Sequence, residues 1–324
     1  MRAIKAFTVL AVLATLAWGG YWFAGSRALD RALTEALDRQ SQFSAASHRI
    51  LGFPNRFDIT LDQPRLAFAG GDWSADFVQV FALSYRLNHL IAVFAPEQRL
   101  TLAGRSLAVQ AADLRASVQM EATLDLPLDL VALVGADLVL ADQETRHRLA
   151  ALRLASRRLA PDVQEIALLA EEVQPDPALL DRLDPARLLP RHLRLVRLDA
   201  EVQTDRPLDR HAMTGAPPAI TRLTLTGARL AWVDSDVSLT GRLTPDAGGN
   251  LSGEVALRVE GWPALLARAR AAGLLEPGQT GPLGALLAAL PTESEGETVD
   301  VPLSVVAGDV WLGPILLLTL PPLR

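Results

Sequence analysis

The feature that most constrains this chain is its first apolar stretch, Ala6 to Ser26, which holds no charged side chain. At about 1.5 Å per residue, a helix of this length measures roughly 31 Å, close to the hydrocarbon thickness of a bilayer. Arg2 and Lys5 precede it, and basic residues stay on the cytoplasmic side of a membrane. We therefore expect one membrane crossing, with the bulk of the chain on the opposite side.

Aromatic residues crowd the end of this stretch, where amphipathic rings favour the headgroup zone, and we expect them to anchor the helix. They are Trp18, Tyr21, Trp22 and Phe23. The alternative is a cleaved signal peptide, which requires a small-x-small cleavage site. The best match is Ala17-Trp18-Gly19, but its central residue is bulky and the apolar run continues beyond it. An uncleaved anchor over residues 1–26 is favoured, with a signal peptide kept open.

The composition excludes several kinds of chemistry. The chain has no cysteine, so it contains no disulfide, no thiolate nucleophile and no Cys-ligated metal. Lys5 is its sole lysine, so nothing beyond the anchor supplies a Schiff-base or phosphate-loop lysine. Acidic residues outnumber basic ones by 37 to 31, and an acidic domain repels nucleic acid. We expect no nucleic-acid partner.

The hydrophobic period changes near residue 43. Residues 27–42 predict a helix, because Leu29, Leu33 and Leu37 recur every fourth position, and this helix would extend the anchor as a stalk. From about Phe43 onward, apolar and polar residues alternate in short runs separated by Gly, Pro and Asn turns, the pattern of half-buried strands.

A dozen or more such runs fill residues 43–324, which we interpret as a single domain. Helical segments are few and interrupt the series, which argues against a doubly wound α/β fold. We predict a mainly β protein (α+β by count), with a large, strongly curved antiparallel sheet or an open barrel or groove. A few short helices and the N-terminal transmembrane helix complete it.

Some segments leave the local structure open. The apolar run Leu126–Val134 favours a short helix, and Arg146–Leu159 fits either a helix or a strand. A phase change at Val196-Arg197-Leu198 indicates a bulge or a switch of faces. Further helices are predicted at Ala178–Leu183, Trp262–Gly273 and Pro282–Leu290.

The sequence contains none of the common catalytic or cofactor-binding motifs. It contains no nucleophile elbow, zinc-protease motif, phosphate loop or dinucleotide fingerprint, and its five histidines are scattered. We therefore predict no catalytic, cofactor-binding or metal-binding residues and no enzymatic activity. The densest basic patch supplies candidate contacts for an anionic group, with solvated sheet faces as the alternative. These candidates are Arg146, Arg148, Arg153 and Arg157.

Several short motifs, in this order, resemble an uncharacterised alphaproteobacterial envelope family, domain-of-unknown-function family 2125. They are Trp22-Phe23-Ala24-Gly25, Gly52-Phe53-Pro54 with Arg56-Phe57, Trp73-Ser74-Ala75, Tyr85 followed by Asn88-His89, Gly308-Asp309-Val310 and Leu312-Gly313-Pro314. The resemblance covers nearly the whole chain and implies an exported, β-rich body, but no activity. A looser architectural similarity is to the AsmA-type bacterial envelope proteins, whose curved sheets form apolar grooves associated with lipid handling.

Three functional hypotheses follow. The first is a protein anchored in the bacterial inner membrane by a single pass, whose periplasmic sheet binds lipid or another hydrophobic ligand. The second is a non-catalytic, chaperone-like module that docks other envelope proteins through exposed strand edges. The third is a hydrolase using Asp, Glu, His or Ser, supported only by the presence of such residues. We favour the first.

Overall fold

The computed structural model describes residues 2–39, 42–68, 70–102, 104–177, 181, 191–212, 217–232, 235–271, 284–285, 289, 292–293 and 298–323. Two long helices, α1 (Arg2–Arg39) and α2 (Trp262–Ala271), accompany one large antiparallel sheet. Its strands are β1 (Phe43–Ser44), β2 (Ser47–Leu51), β3 (Arg56–Asp62), β4 (Arg65–Phe68), β5 (Gly71–Ala75), β6 (Phe77–Leu83), β7 (Arg86–Phe94), β8 (Glu97–Leu102), β9 (Arg105–Gln110), β10 (Asp113–Met120), β11 (Leu128–Ala141), β12 (Arg146–Ala160), β13 (Val163–Val173), β14 (Leu193–Thr204), β15 (Ile220–Ala231), β16 (Asp236–Pro245), β17 (Leu251–Glu260), β18 (Thr292–Glu293), β19 (Thr298–Val306), β20 (Asp309–Leu312) and β21 (Ile315–Thr319).

The sheet is a meander in which each long strand pairs with the one that follows it in the chain. The first ten strands form five long strands, each bent at a corner: β1 continues into β2, β3 into β4, β5 into β6, β7 into β8, and β9 into β10. Each of these long strands is hydrogen-bonded to the next. β11 then pairs along one edge with both β10 and β9. From β12 the meander runs to β21, with the short β18 beside β19. In the described residues the outer strands do not pair with each other, so the sheet is open.

The corners of the bent strands keep the hydrogen-bond ladder nearly continuous. Gln63 N donates to Asp76 O at 2.7 Å, and Ala111 N donates to Pro96 O at 2.9 Å. The same line of bends continues through Asp137 in β11 and Glu172 in β13, both of which have positive φ. The pairing register is the same on both sides of these residues, so they bend the strands without inserting an extra residue. The line of bends contributes to the curvature of the sheet.

A second observation shows how far the sheet curls. Leu128, which begins β11, donates its backbone N–H to Leu208 O at 2.7 Å, and Arg210 N donates to Asp125 O at 3.1 Å. Residues 205–212 follow β14, so this segment reaches back past β13 and β12. Neighbouring strands lie about 4.8 Å apart, and curvature shortens the distance that the segment must cover.

The strand register places apolar residues on one face of the whole sheet. Directly opposed residues on neighbouring strands share a face, so the pairings trace rows across it. The central row is apolar throughout: Ile50, Ile59, Val80, Ala92, Ala116, Leu133, Leu154, Leu168, Leu198, Ala228, Leu239, Leu257 and Val301. We call this side the apolar face.

The opposite side, the polar face, carries a row rich in arginine. Its members are Arg115, Val134, Arg153, Leu169, Arg197, Arg229, Ser238, Arg258 and Asp300. Arg197 donates to Asp199 at 2.5 Å and Arg229 to Asp236 at 2.7 Å. Hydrogen bonding to these carboxylates raises the pKa of both guanidinium groups above the usual value.

The prediction of a mainly β protein with a large curved antiparallel sheet is confirmed; one segment differs from the local sequence reading, and one that was open between helix and strand is a strand. Residues 126–134, predicted to be a short helix, enter the long strand β11, and the ambiguous Arg146–Leu159 lies in β12. Both segments carry apolar residues on both faces, which blurs the period of two. In β14 the pairing with β13 runs without a bulge through Val196–Leu198, so the phase change reflects apolar residues switching faces.

Two helical predictions match described structure and two do not reach it. α1 runs without a break from Arg2 to Arg39, and α2 begins at Trp262 as expected. The predicted helices Ala178–Leu183 and Pro282–Leu290 lie almost wholly outside the described residues.

The two helices cover the two ends of the apolar face. Trp22 of α1 stacks on Phe57 of β3, and Asp30 contacts His48 of β2 at 2.8 Å. At the other end, Trp262 and Leu266 of α2 join a cluster of buried residues. That cluster comprises Leu243, Leu251, Val255, Val259, Val299, Val301, Leu303, Val305, Val310 and Leu312.

The middle of the apolar face is covered by neither helix. Every residue of β12 is at least partly exposed, even those on the leucine row. The chain exposes 19587 Å², about 1.5 times the roughly 13,000 Å² expected of a compact protein of 324 residues. The open sheet and the protruding helix α1 explain why the solvent-accessible surface is larger than that of a compact protein.

Two leucine truncations distinguish the covered and uncovered parts of the apolar face. Leu243→Ala removes a buried side chain of the C-terminal cluster and should lower the free energy of unfolding by about 2–5 kcal/mol. Leu154→Ala should cost about 1 kcal/mol, because its side chain already contacts solvent. Urea unfolding of the detergent-solubilised full chain, followed by circular dichroism, measures both. Equal losses would show that the middle of the face is covered.

Candidate functional site

The uncovered middle of the apolar face forms the best candidate site. It is an open surface on β7 and β10–β14, between the parts covered by α1 and α2, and we call it the trough. Its side chains are aliphatic and half-buried: Leu90, Ala92, Ala116, Val118, Val131, Leu133, Leu152, Leu154, Ile166, Leu168, Val196 and Leu198. Ser156 interrupts the rows, and its hydroxyl donates to Gln164 Oε1 at 3.2 Å.

The trough is long enough to receive one lipid chain. From β7 to β14 the trough crosses six neighbouring strands, and five spacings of about 4.8 Å give roughly 24 Å. One leaflet of a bilayer contributes about 15 Å of hydrocarbon thickness. Partly exposed aliphatic surface that runs across six strands is typical of an interaction site.

Polar side chains ring one end of the trough, at the turn that joins β10 to β11. Arg158 forms an ion pair with Glu121 and lies 3.7 Å from Asp129. Gln119 donates to Asp129 at 2.9 Å and accepts a hydrogen bond of 3.3 Å from Arg86. We call this end the mouth of the trough.

A cavity of about 460 Å³ opens beside the mouth. Its lining is largely apolar and comes from α1, β7 and the β6–β7 and β10–β11 turns: Tyr21, Ser84, Tyr85, Arg86, Leu87, Asn88, Met120, Ala122 and Leu126. Ser84 has no solvent-accessible surface, and its hydroxyl oxygen has no hydrogen-bond partner. Tyr21 uses the backbone oxygen of Ser84, donating to it at 2.6 Å.

Sequence reasoning missed this cavity. The signal that points to it is a set of large apolar side chains placed on hairpin tips, where turns are normally polar. Tyr85 and Leu87 are 66% and 55% exposed, and Leu124, in the β10–β11 turn, is 86% exposed. Their proximity to α1 depends on strand register, which the sequence alone did not specify.

The aromatic residues predicted to anchor the membrane helix also join it to the sheet. Trp22 is buried, stacks on Phe57 with ring centroids 5.7 Å apart, and donates to Arg56 O at 2.7 Å. Trp18 donates to Pro54 O at 3.0 Å. These contacts involve the β2–β3 hairpin, so this hairpin lies beside the end of the apolar segment.

Phe23 and the helix beyond it continue the same contact. The Phe23 ring stacks on Phe53 with centroids 5.7 Å apart. Leu29, Leu33 and Leu37 are half-buried and lie on the same side of α1 as Trp22. The segment predicted as a stalk therefore lies against the domain.

The candidate anion contacts on β12 do not converge. Arg153 and Arg157 lie on the polar face, and Arg157 pairs with Glu165 at 2.6 Å. Arg146 and Arg148 lie at the opposite end of the strand, roughly 30–36 Å from Arg157 at about 3.3 Å per residue. They line a separate cavity of about 590 Å³ with Asp176, Arg191 and His192. An anion-binding role for these arginines stays a prediction.

Acidic side chains outside the trough stabilise turns. Backbone N–H groups of Glu144 and Thr145 donate to Asp142 and lower the pKa of its carboxyl group. In the β16–β17 hairpin, hydrogen bonds from the Asn250 side chain and backbone lower the pKa of Asp246. Within the described ranges, no group of three or more His, Asp or Glu side chains is placed to hold a metal ion.

Comparison with known proteins identifies the family of the chain but assigns it no activity. A family model described as an uncharacterized protein conserved in bacteria (DUF2125) matches residues 22–321. No curated protein and no solved structure matches the chain. The match begins at Trp22 and so leaves most of the apolar part of α1 outside it.

The contact between α1 and the sheet can be tested by proteolysis. Trp22→Ala should weaken the docking of α1 by about 3 kcal/mol, because it removes a buried indole. Trypsin cleavage after Arg27 or Arg31 should then accelerate by about two orders of magnitude, since each 1.4 kcal/mol is a factor of ten. Phe23→Ala, whose ring is 54% exposed, is the matched control and should accelerate cleavage far less. Similar cleavage rates for both variants and the unmodified chain would contradict the contact.

Proposed function

We propose that this chain, which belongs to the family of uncharacterised proteins conserved in bacteria (DUF2125), is a membrane-tethered protein that holds a lipid chain or another hydrophobic ligand in its trough. The tether would be α1, crossing the bacterial inner membrane once, with the sheet in the periplasm. The role is non-catalytic. The observation that carries the proposal is the apolar row that crosses the sheet and stays partly exposed between the two helices.

Membrane attachment rests on α1. It is long and apolar enough to span a bilayer, by length and composition, and only 6% of its apolar window is buried against the rest of the protein. The exposed side chains of this window include Ile4, Phe7 and Leu10. Lipid is their natural environment, because water would have to solvate a continuous apolar surface.

The trough supports a hydrophobic ligand on energetic grounds. Burying apolar surface contributes roughly 25 cal/mol per Å², and a ligand lying along the leucine rows would bury surface of its own as well as surface of the sheet. Aliphatic side chains supply no directional contacts, so the trough would select for chain length and flexibility. Extended hydrocarbon fits this requirement better than a folded polar molecule does.

A protein-docking role is the second candidate and rests on a different observation. The last strand, β21, pairs on one side with β20 and carries the exposed residues Leu316, Leu317 and Leu318. An apolar edge strand is a template for a partner's strand. Crosslinking from this edge that recovers a defined envelope protein, with an empty trough, would favour docking over lipid binding.

Two neighbouring leucines on β13 provide a matched test of ligand binding. Leu168 lies on the apolar face and Leu169 on the polar face, opposite Arg153 and Arg197. Leu168→Glu should sharply reduce the lipid recovered with the purified full chain, because an ionised carboxylate is costly to bury under hydrocarbon. Leu169→Glu should leave lipid recovery unchanged.

Organic extraction and mass spectrometry of the detergent-purified variants measure this difference. Thermal unfolding of each variant controls for loss of the fold. Equal lipid content in both folded variants, or no lipid in the unmodified chain after purification in mild detergent, would contradict the proposal.

A further inference from the structure

The contacts between α1 and the sheet fix how deep the hairpin tips lie in a membrane. This step rests on the proposed function, in which the apolar segment Ala6–Ser26 spans the bilayer. Trp18 lies eight residues before Ser26, about 12 Å along the helix axis. The polar and interfacial zone on each side of the hydrocarbon core is only about 6 Å thick. Trp18 therefore lies within the membrane even if Ser26 is at the outer surface of that zone. The β2–β3 hairpin bonded to Trp18 therefore reaches the leaflet itself.

The tips at this end of the sheet are suited to that environment. Phe53, Tyr85 and Leu124 lie on turns and Leu87 lies at the start of β7, all at the α1-proximal end of the meander, and each is more than half exposed. Turn residues are normally polar, so a cluster of this kind indicates contact with an apolar phase. Tyr85 also has a phenol group suited to the interface.

The cavity at the mouth lies among these tips and leads to the trough. Asn88 and Met120 line the cavity, and the side-chain amide of Asn88 donates to Met120 O at 2.7 Å. Each lies two residues from a trough residue on its own strand, Leu90 on β7 and Val118 on β10. The pairing of β7 with β10 is regular as far as His89 and Gln119, so the cavity lies directly beside the trough along both strands.

The polar groups of the cavity match the ester region of a lipid. Ser84 presents a buried hydroxyl without a hydrogen-bond partner, and a buried unsatisfied donor is costly unless a ligand accepts from it. Arg86, which is exposed at the rim, donates to Gln119 at 3.3 Å through one guanidinium nitrogen and retains other donors. A phosphate beside Arg86 would use its remaining donors, and a carbonyl would satisfy Ser84 once the side chains that cover its hydroxyl move aside.

We infer that the cavity at the mouth binds the acyl-ester region of a phospholipid directly from the leaflet that surrounds the hairpin tips, and that one acyl chain passes from it into the trough. The Ser84 hydroxyl donates to an ester carbonyl, and Arg86 faces the phosphate. Tyr21 of the tether forms one wall of the entrance, so the membrane helix is part of the binding site.

The test uses the full chain in phosphatidylcholine vesicles that contain a phosphatidylglycerol with a photoactivatable group on one ester-linked acyl chain. Crosslinks mapped by mass spectrometry should fall on Met120, Tyr85 or Leu126 at the mouth and on Leu133, Leu154 or Leu168 in the trough. An ether-linked analogue should crosslink less. Ser84→Ala should reduce crosslinking of the ester lipid roughly fivefold and remove the preference for it.

A second pair of variants tests the route. Ala122 lines the cavity and is exposed, so Ala122→Trp should fill the entrance without disturbing the core, and it should suppress crosslinks both at the mouth and in the trough. Ala247→Trp, in the β16–β17 turn, is the matched control and should leave both unchanged. Thermal unfolding confirms that each variant folds.

The outcomes separate this inference from the proposed function. Trough crosslinks that persist at the unmodified level in Ala122→Trp would overturn the mouth as the entrance while leaving the trough as a lipid site. Crosslinks at the mouth but none in the trough would overturn the trough and keep the ester site. Absence of crosslinks at the mouth of the unmodified chain would overturn the inference.

Discussion

The alternation of apolar and polar residues, kept in register across one long meander, is the constraint on which the rest of this structure depends. In a β-strand successive side chains point to opposite faces, and a slip of one residue would move the whole apolar set to the other side. Here the register carries an unbroken apolar row from Ile50 to Val301. The sheet thus gains one continuous apolar face much larger than its two long helices cover.

The way in which that face is covered links fold to function. At one end α2 completes a buried core with Val299 and Val301, and at the other α1 packs its Trp22 onto Phe57. Between them the central apolar row on β11 to β14 stays partly exposed, because the described structure places no helix above it. The uncovered surface is the trough, and its mouth lies where α1 meets the first hairpins. The apolar helix and the trough are therefore neighbours in space.

Much of this architecture was predictable from sequence, because alternation and turn residues are local signals. The long helix, the curved antiparallel sheet and α2 followed from periodicity and from Pro263 in the first turn. Leu130 and Val134 of β11 point to the polar face, so apart from Asp129 the segment is apolar on both faces and its period of two is hidden. The mouth could not be predicted, since Tyr21, Ser84 and Met120 come together only through register and helix docking.

Spin labels on β12 test the central claim, an open trough occupied by lipid, most directly. The chain has no cysteine, so Leu154→Cys can be labelled alone on the apolar face, with Arg153→Cys on the polar face as its control. In proteoliposomes the label at 154 should be mobile, accessible to oxygen and shielded from a water-soluble relaxing agent, while the label at 153 should be accessible to that agent. A label at 154 that is immobilised and inaccessible to both would show a closed protein core and contradict the account.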